Sequence, residues 1–186
     1  MMTEEARKDL NKNNFSIKEH TMKDYQAPWS TSLIAVSSLS TVLCAGIGIV
    51  VILSGRGTMP WIALLPLAII AGGALFTIRG YTVTPDAVLV HRLFWKTRLP
   101  LTGLQSARFE PDTMRGSIRI FGNGGLFSFS GFFRDKALGT YRAFVTDPHR
   151  TVVLRFPSRI VVVSPSTPED FVHEIVIAKH TADQDD

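Results

Sequence analysis

The sequence predicts a two-helix transmembrane hairpin followed by a mainly-β domain that one C-terminal helix closes. Three observations carry this reading. No Asp, Glu, Lys or Arg lies between Tyr25 and Gly55, and after Arg56 none recurs until Arg79. From Gly80 onward the apolar residues alternate with a period of two, as half-buried strands require. Near the end, Thr167-Pro168-Glu169-Asp170 opens a stretch with helical spacing.

Each charge-free run reaches the ~20 helical residues that a ~30 Å hydrocarbon core demands. Two buried helices of a soluble domain would leave the same gap, but the rest of the chain supplies no helices to surround them. The chain therefore divides into a polar tail over 1–28, a hairpin over 29–78 with helices near 30–54 and 59–78, a β domain with its helix over 79–180, and an acidic end over 181–186.

Residues 1–27 mix Arg7, Lys8, Lys12, Lys18 and Lys23 with Glu4, Glu5, Asp9, Glu19 and Asp24 and hold too few apolar side chains for a core, so a mobile tail is expected. This stretch is too long and too acidic for a secretory n-region, and no cleaved peptide is expected. Pro28 suits a first helical turn and Trp29 a headgroup boundary. Ser37, Ser38, Ser40 and Thr41 can bond back along the first helix or across to the second, where Ala45, Gly46, Gly48, Gly72 and Gly73 would permit close approach. No ionisable group other than the lone Cys44 lies within either run, which disfavours an ion or proton carrier. Cys44 reads as a small apolar residue. Residues 54–60 allow only a turn. Basic residues outside the hairpin, against Arg56 alone within the turn, place both termini in the cytoplasm.

The formal charge of +4 is unevenly spread. Between Arg79 and Arg142 ten Lys or Arg face four acids, whereas the chain closes on Asp183, Asp185 and Asp186. Strands are expected at Tyr81 to Thr84, Ala87 to Trp95, Leu104 to Phe109, Ser117 to Phe121, Leu126 to Phe132, Tyr141 to Thr146, Thr151 to Phe156 and Arg159 to Ser164. Asn123-Gly124-Gly125 marks a tight hairpin, and Asp147-Pro148-His149-Arg150 a second one joining its flanking strands. About seven short antiparallel strands at this spacing make a bent sheet or partly open barrel. Thr167 is a suitable N-cap, with Glu169 and Asp170 at the positive end of the helix dipole and Asp170 in the capping-box position. Phe171, Ile175 and Ala178 share one stripe, so the helix plugs the β unit.

Several strings resemble the bacterial PH-like domains of small membrane proteins: Tyr81-Thr82-Val83-Thr84 with Val88-Leu89-Val90-His91-Arg92, Arg98-Leu99-Pro100-Leu101, Gly122-Asn123-Gly124-Gly125-Leu126-Phe127, the run from Leu138 to Asp147, and Val163-Ser164-Pro165 leading to Pro168-Glu169-Asp170-Phe171. The resemblance spans roughly Gly80 to Ile177. It implies a seven-stranded bent sheet closed by a C-terminal helix, often behind two membrane helices, and it implies no enzyme and no settled ligand residues. In eukaryotic PH domains phosphoinositides bind a basic motif in the first hairpin, and His91, Arg92, Lys96 and Arg98 stand near the comparable place.

Gly122-Asn123-Gly124-Gly125 is followed by a strand rather than a helix and lacks the Lys of a phosphate loop. Ser128 and Ser130 do not form a Gly-x-Ser-x-Gly elbow. His20, His91, His149, His173 and His180 lack ligand spacing, and Glu110 and Asp112 flank Pro111 in a turn. No catalytic residue, cofactor or metal site is expected. The candidate contacts for the membrane or an anion are Arg92, Lys96, Arg98, Arg108, Arg115 and Arg119, each worth about 1 kcal/mol near an anionic surface. Phe127, Phe129, Phe132 and Phe133 form the densest aromatic group, and the adjacent pair Phe132 and Phe133 offers a partner contact. The expected protein is a multi-pass inner-membrane protein whose non-enzymatic domain docks on the cytoplasmic leaflet, on anionic headgroups or on a membrane protein. A homo- or hetero-oligomer subunit without lipid specificity is the second reading and an enzyme the third, and no nucleic-acid partner is expected.

Overall fold

A computed structural model describes residues 22–53 and 64–182. Residues 1–21, the connection 54–63 with Arg56 and Trp61, and residues 183–186 lie outside the described residues, together with the expectations placed on them. The order is β1 (Lys23–Gln26), α1 (Thr31–Leu53), α2 (Leu64–Leu75), β2 (Ile78–Val83), β3 (Ala87–Arg92), β4 (Lys96–Pro100), β5 (Ser106–Phe109), β6 (Ile118–Gly124), β7 (Phe129–Asp135), β8 (Gly139–Val145), β9 (Val152–Arg155), β10 (Ile160–Val163) and α3 (Pro168–Ala182).

Helix α1 has 23 residues and a length of about 34 Å. It is the one helix among the described residues long and apolar enough to cross a membrane. Its covered or half-covered stripe is Ser37, Thr41, Cys44, Gly48 and Val51 at three- and four-residue steps, while Leu39, Val42, Leu43, Ile49, Val50 and Leu53 stand exposed around the rest. It begins at Thr31, within a residue of the expected start near 30, and the Ser30 hydroxyl accepts from Leu33 N at 3.2 Å and serves as the N-cap, with Pro28 lying before the helix. The second expected helix, 59–78, is helical over Leu64–Leu75; residues 59–63 lie outside the described residues, and the chain leaves the helix after Leu75 to enter β2.

The strands form two sheets, β1-β2-β3-β4 and β5-β9-β10-β8-β7-β6. Tyr81, Val83, Val88 and Val90 from the first, Phe144, Leu154, Val161 and Val163 from the second, and Phe171 and Ile175 from α3 make the main core. On the other face of the larger sheet, Phe133, Tyr141, Ala143, Val145, Val153 and Val162 form a second cluster beneath Met114 and Leu138. The central strands are thus covered on both faces, which is why β9 and β10 read as nearly continuous apolar runs.

Four local expectations are corrected. Residues 23–26 were expected within the polar tail, but they form β1, paired with β2, because Tyr25 is buried edge-on against Phe171 at 5.0 Å. Lys23 Nζ reaches Asp170 Oδ1 at 2.8 Å and the Tyr25 hydroxyl donates to Asp170 Oδ2 at 3.1 Å, so the carboxylate of the capping-box position ties β1 to α3. The long strand to Trp95 stops at Arg92 and folds back as β4, leaving Phe94 75% exposed instead of in line with Val88 and Val90. Leu126 to Ser128 belong to the β6–β7 turn rather than to the strand, held by the Asn123 side chain on both Leu126 N and Leu126 O. Finally, β8 and β9 do not pair. Strand β10 lies between them, parallel to β8 and antiparallel to β9. The Ser164 hydroxyl accepts from Thr146 N at 2.8 Å and pins the end of β10 to the end of β8, while Asp147 caps the short turn Pro148–Arg150.

Tyr81 joins the sheets. Its hydroxyl donates to Phe144 O at 2.7 Å and accepts from Ser164 N at 3.2 Å, and burial pushes its pKa up to about 12. Tyr81→Phe leaves a buried N–H and a buried carbonyl without this partner, so a loss of about 1–3 kcal/mol is expected. Urea unfolding of the full-length chain in detergent measures it; wild-type stability in the variant would show that the bridge contributes nothing.

Candidate functional site

Both apolar helices meet the β domain at the β6–β7 turn. Phe127, held at φ 64°, donates its N–H to the Ser37 hydroxyl of α1 at 2.9 Å, and its ring lies 6.1 Å from that of Trp29. On the α2 side, a Cβ on Gly73 would come within 2.6 Å of Leu126 Cδ2. Gly46 and Gly72 face open space. Gly73, expected to bring the helices together, instead admits the turn, while Gly48 is buried on α1.

The last carbonyls of α2 lack a basic residue on their own helix. Arg92 of β3 supplies one: its Nη1 donates to Phe76 O at 3.1 Å and its Nη2 to the Ser130 hydroxyl at 2.7 Å. Ser128 also donates to Phe76 O, at 3.0 Å. A cation at a helix C-terminus is favoured by the dipole. The guanidinium carbon lies 5.4 Å from the ring centre of Phe76, 5.7 Å from Trp95 and 5.3 Å from Phe144. Burial, and then the charge of Arg142, lower the Arg92 pKa.

Between α2 and the face of β6, β7 and β8 lies a cavity of about 480 Å³. Ile69, Gly72, Gly73 and Phe76 form its helical wall; Phe121, Gly122, Ser130, Gly131 and Phe132 its hairpin wall; Arg92, Arg142 and Phe144 its base. Gly122 and Gly131 stand opposite each other in the β6–β7 register with φ of 110° and 144°, values that favour glycine. Arg142 lies over Phe144 at 4.8 Å and Phe132 at 5.9 Å. The lining holds two guanidiniums and no carboxylate. Among the described residues neither arginine has an ion-pair partner.

The six basic residues singled out in the sequence fall in separate places. Arg92 is 8% exposed and its donors are occupied by the protein, so it is turned inward and not offered to a membrane surface. Lys96 is exposed at the start of β4; Arg98 pairs with Asp86; Arg108 is exposed on β5. Arg115 and Arg119 come together at another cavity of about 580 Å³, beside Phe133 and His149. Of the aromatic pair, Phe132 is 45% exposed at the first cavity and Phe133 is buried in the second cluster. Sequence reasoning missed Arg142 and Phe76, and it gave Ser37 to helix packing, whereas its hydroxyl meets the β6–β7 turn. A signal existed for the arginines: Arg92 falls in phase with the buried Val88 and Val90, and Arg142 in phase with the buried Phe144, so each is a charge in line with core residues of its strand.

The family model described as bacterial PH domain matches residues 79–178. No curated protein matches the chain, and no solved structure matches it.

Proposed function

The chain belongs to the bacterial PH domain family, and from that premise we propose that it is a non-enzymatic interaction module held by its apolar helices against the cytoplasmic face of a bacterial inner membrane. There the domain docks on the leaflet or on a membrane protein. PH-like domains are generally interaction modules without catalytic activity, and one helix here has the length and composition of a membrane span.

The observation that carries the reading is the seating of the domain on the helix ends. Ser30 N donates to Thr146 O at 3.2 Å, Phe127 N to Ser37 at 2.9 Å, and Arg92 to Phe76 O at 3.1 Å. The start of α1 and the end of α2 therefore share one attachment, from which the exposed apolar surface of α1 runs outward. A helix apolar around most of its circumference needs either a protein shell or lipid, and although α2 packs along α1, most of the large apolar side chains of α1 stay exposed. Phe76 and Trp95, at 5.6 Å, stand at the same junction, as interfacial aromatics do.

The test is extraction. Membranes carrying the full-length chain are washed at high salt and alkaline pH, and the protein is expected to stay in the pellet until detergent is added. Recovery in the supernatant without detergent overturns the anchor. A reporter fused to the C-terminus fixes the side; activity of a periplasmic reporter there overturns the cytoplasmic assignment.

A further inference from the structure

The cavity at the helix junction has the wrong charge balance to be filler. Arg92 and Arg142 approach the same Phe144 ring, at 5.3 and 4.8 Å, within a lining that has no carboxylate. Two like charges in partly apolar surroundings are unfavourable unless something negative enters. Arg92 spends its donors on Phe76 O and Ser130 and contributes its field. Arg142 is exposed, and among the described residues its guanidinium rests only on the rings of Phe132 and Phe144. Its fork of donors is free for the bidentate contact that guanidinium makes with phosphate.

The other walls ask for something apolar. Ile69, Phe121 and Phe132 are 54%, 75% and 45% exposed around the cavity, an arrangement a free phosphate ion would leave wet. The volume lies within the ~300–1,000 Å³ of small-ligand sites. It is too small for a whole lipid, but it suits a headgroup phosphate and the first part of one chain, the remainder lying along the exposed Leu65 and Ile69 side of α2.

We propose that this cavity binds one anionic membrane phospholipid, its phosphate on Arg142 in the field of Arg92 and its chain between α2 and the β6–β7 hairpin. The assignment rests on the membrane-anchored reading above, because α2 must border lipid for the chain to leave the cavity.

The experiment uses the full-length chain purified in a non-ionic detergent, with thermal unfolding followed as phosphatidylglycerol, phosphatidylcholine or inorganic phosphate is added. Phosphatidylglycerol is expected to raise the midpoint in a saturable manner, and phosphatidylcholine and phosphate to leave it unchanged. Arg142→Gln removes a charge-assisted contact and should weaken the phosphatidylglycerol response roughly 10- to 100-fold. Gly72 lines the cavity and an added Cβ there meets no atom within 4 Å, so Gly72→Leu is expected to fill the space, keep the fold and abolish the response. Equal responses to the two lipids, or a Gly72→Leu protein that still responds, would overturn the proposal. An equal response to inorganic phosphate would overturn the lipid in favour of a soluble anion. The two layers fail separately: a wild-type chain that leaves the membrane without detergent defeats the anchor, whereas a chain that pellets but shows no anionic preference defeats the cavity alone.

Discussion

Phe171→Ala is expected to cost about 3–5 kcal/mol, the range for truncating a buried aromatic residue. Phe171 is fully buried in the first turn of α3, and its ring meets Tyr25 of β1 at 5.0 Å and Tyr81 of β2 at 6.1 Å. Two strands converge on this ring from α3, so no single neighbour can collapse into the space it vacates. The Lys23–Asp170 pair will not hold β1 in its place. Its side chains are 46% and 45% exposed, and exposed pairs contribute about 0–1 kcal/mol. The variant should therefore show a lower urea midpoint in detergent and faster hydrogen exchange over Lys23–Gln26 than elsewhere in the first sheet. Val172→Ala, at a half-buried neighbour, is the control and should cost much less. A Phe171→Ala protein within about 1 kcal/mol of wild type would mean that α3 does not clamp β1.

Gly131→Ala is the second large effect, on the order of 2–4 kcal/mol. The residue sits at φ 144°, and an added Cβ would overlap the Phe121 carbonyl oxygen and lie 2.8 Å from Gly122 Cα. Both obstacles are backbone, so no side-chain rotation relieves them. Relief requires moving β6 away from β7, and among the described residues β6 is the edge strand of its sheet. The hairpin wall of the cavity would shift with it. Gly46→Ala on α1, where the new methyl meets nothing within 4 Å, should change stability by less than about 0.5 kcal/mol. Equal midpoints for the two variants would show that the hairpin tolerates a side chain at position 131.

How far each feature was legible follows from the range of the interaction that creates it. The β6–β7 hairpin could be read because Asn123-Gly124-Gly125 carries its own turn chemistry, and α3 because its cap and apolar stripe lie within a dozen residues. β1 could not, since its one buried side chain, Tyr25, sits among charged neighbours and finds its partner Asp170 at a separation of 145 residues. The same holds for the site. The basic residues from Arg92 to Arg119 were candidate anion contacts whose convergence no local pattern could decide; pairing of Arg98 with Asp86 and inward burial of Arg92 against Phe76 set them apart, and the arginine that completes the cavity came from β8.

Hydropathy and periodicity alone determined that this chain has a helix fit for lipid and a β domain closed by a helix, because both patterns record whether each successive side chain meets water or an apolar phase. Only the tertiary structure decided that β10 enters between β8 and β9, that β1 joins the first sheet, and that Arg92 and Arg142 meet beside α2. Those outcomes depend on which distant strands become neighbours. That choice is made by contacts such as Tyr81 to Ser164, for which neither partner carries a local mark.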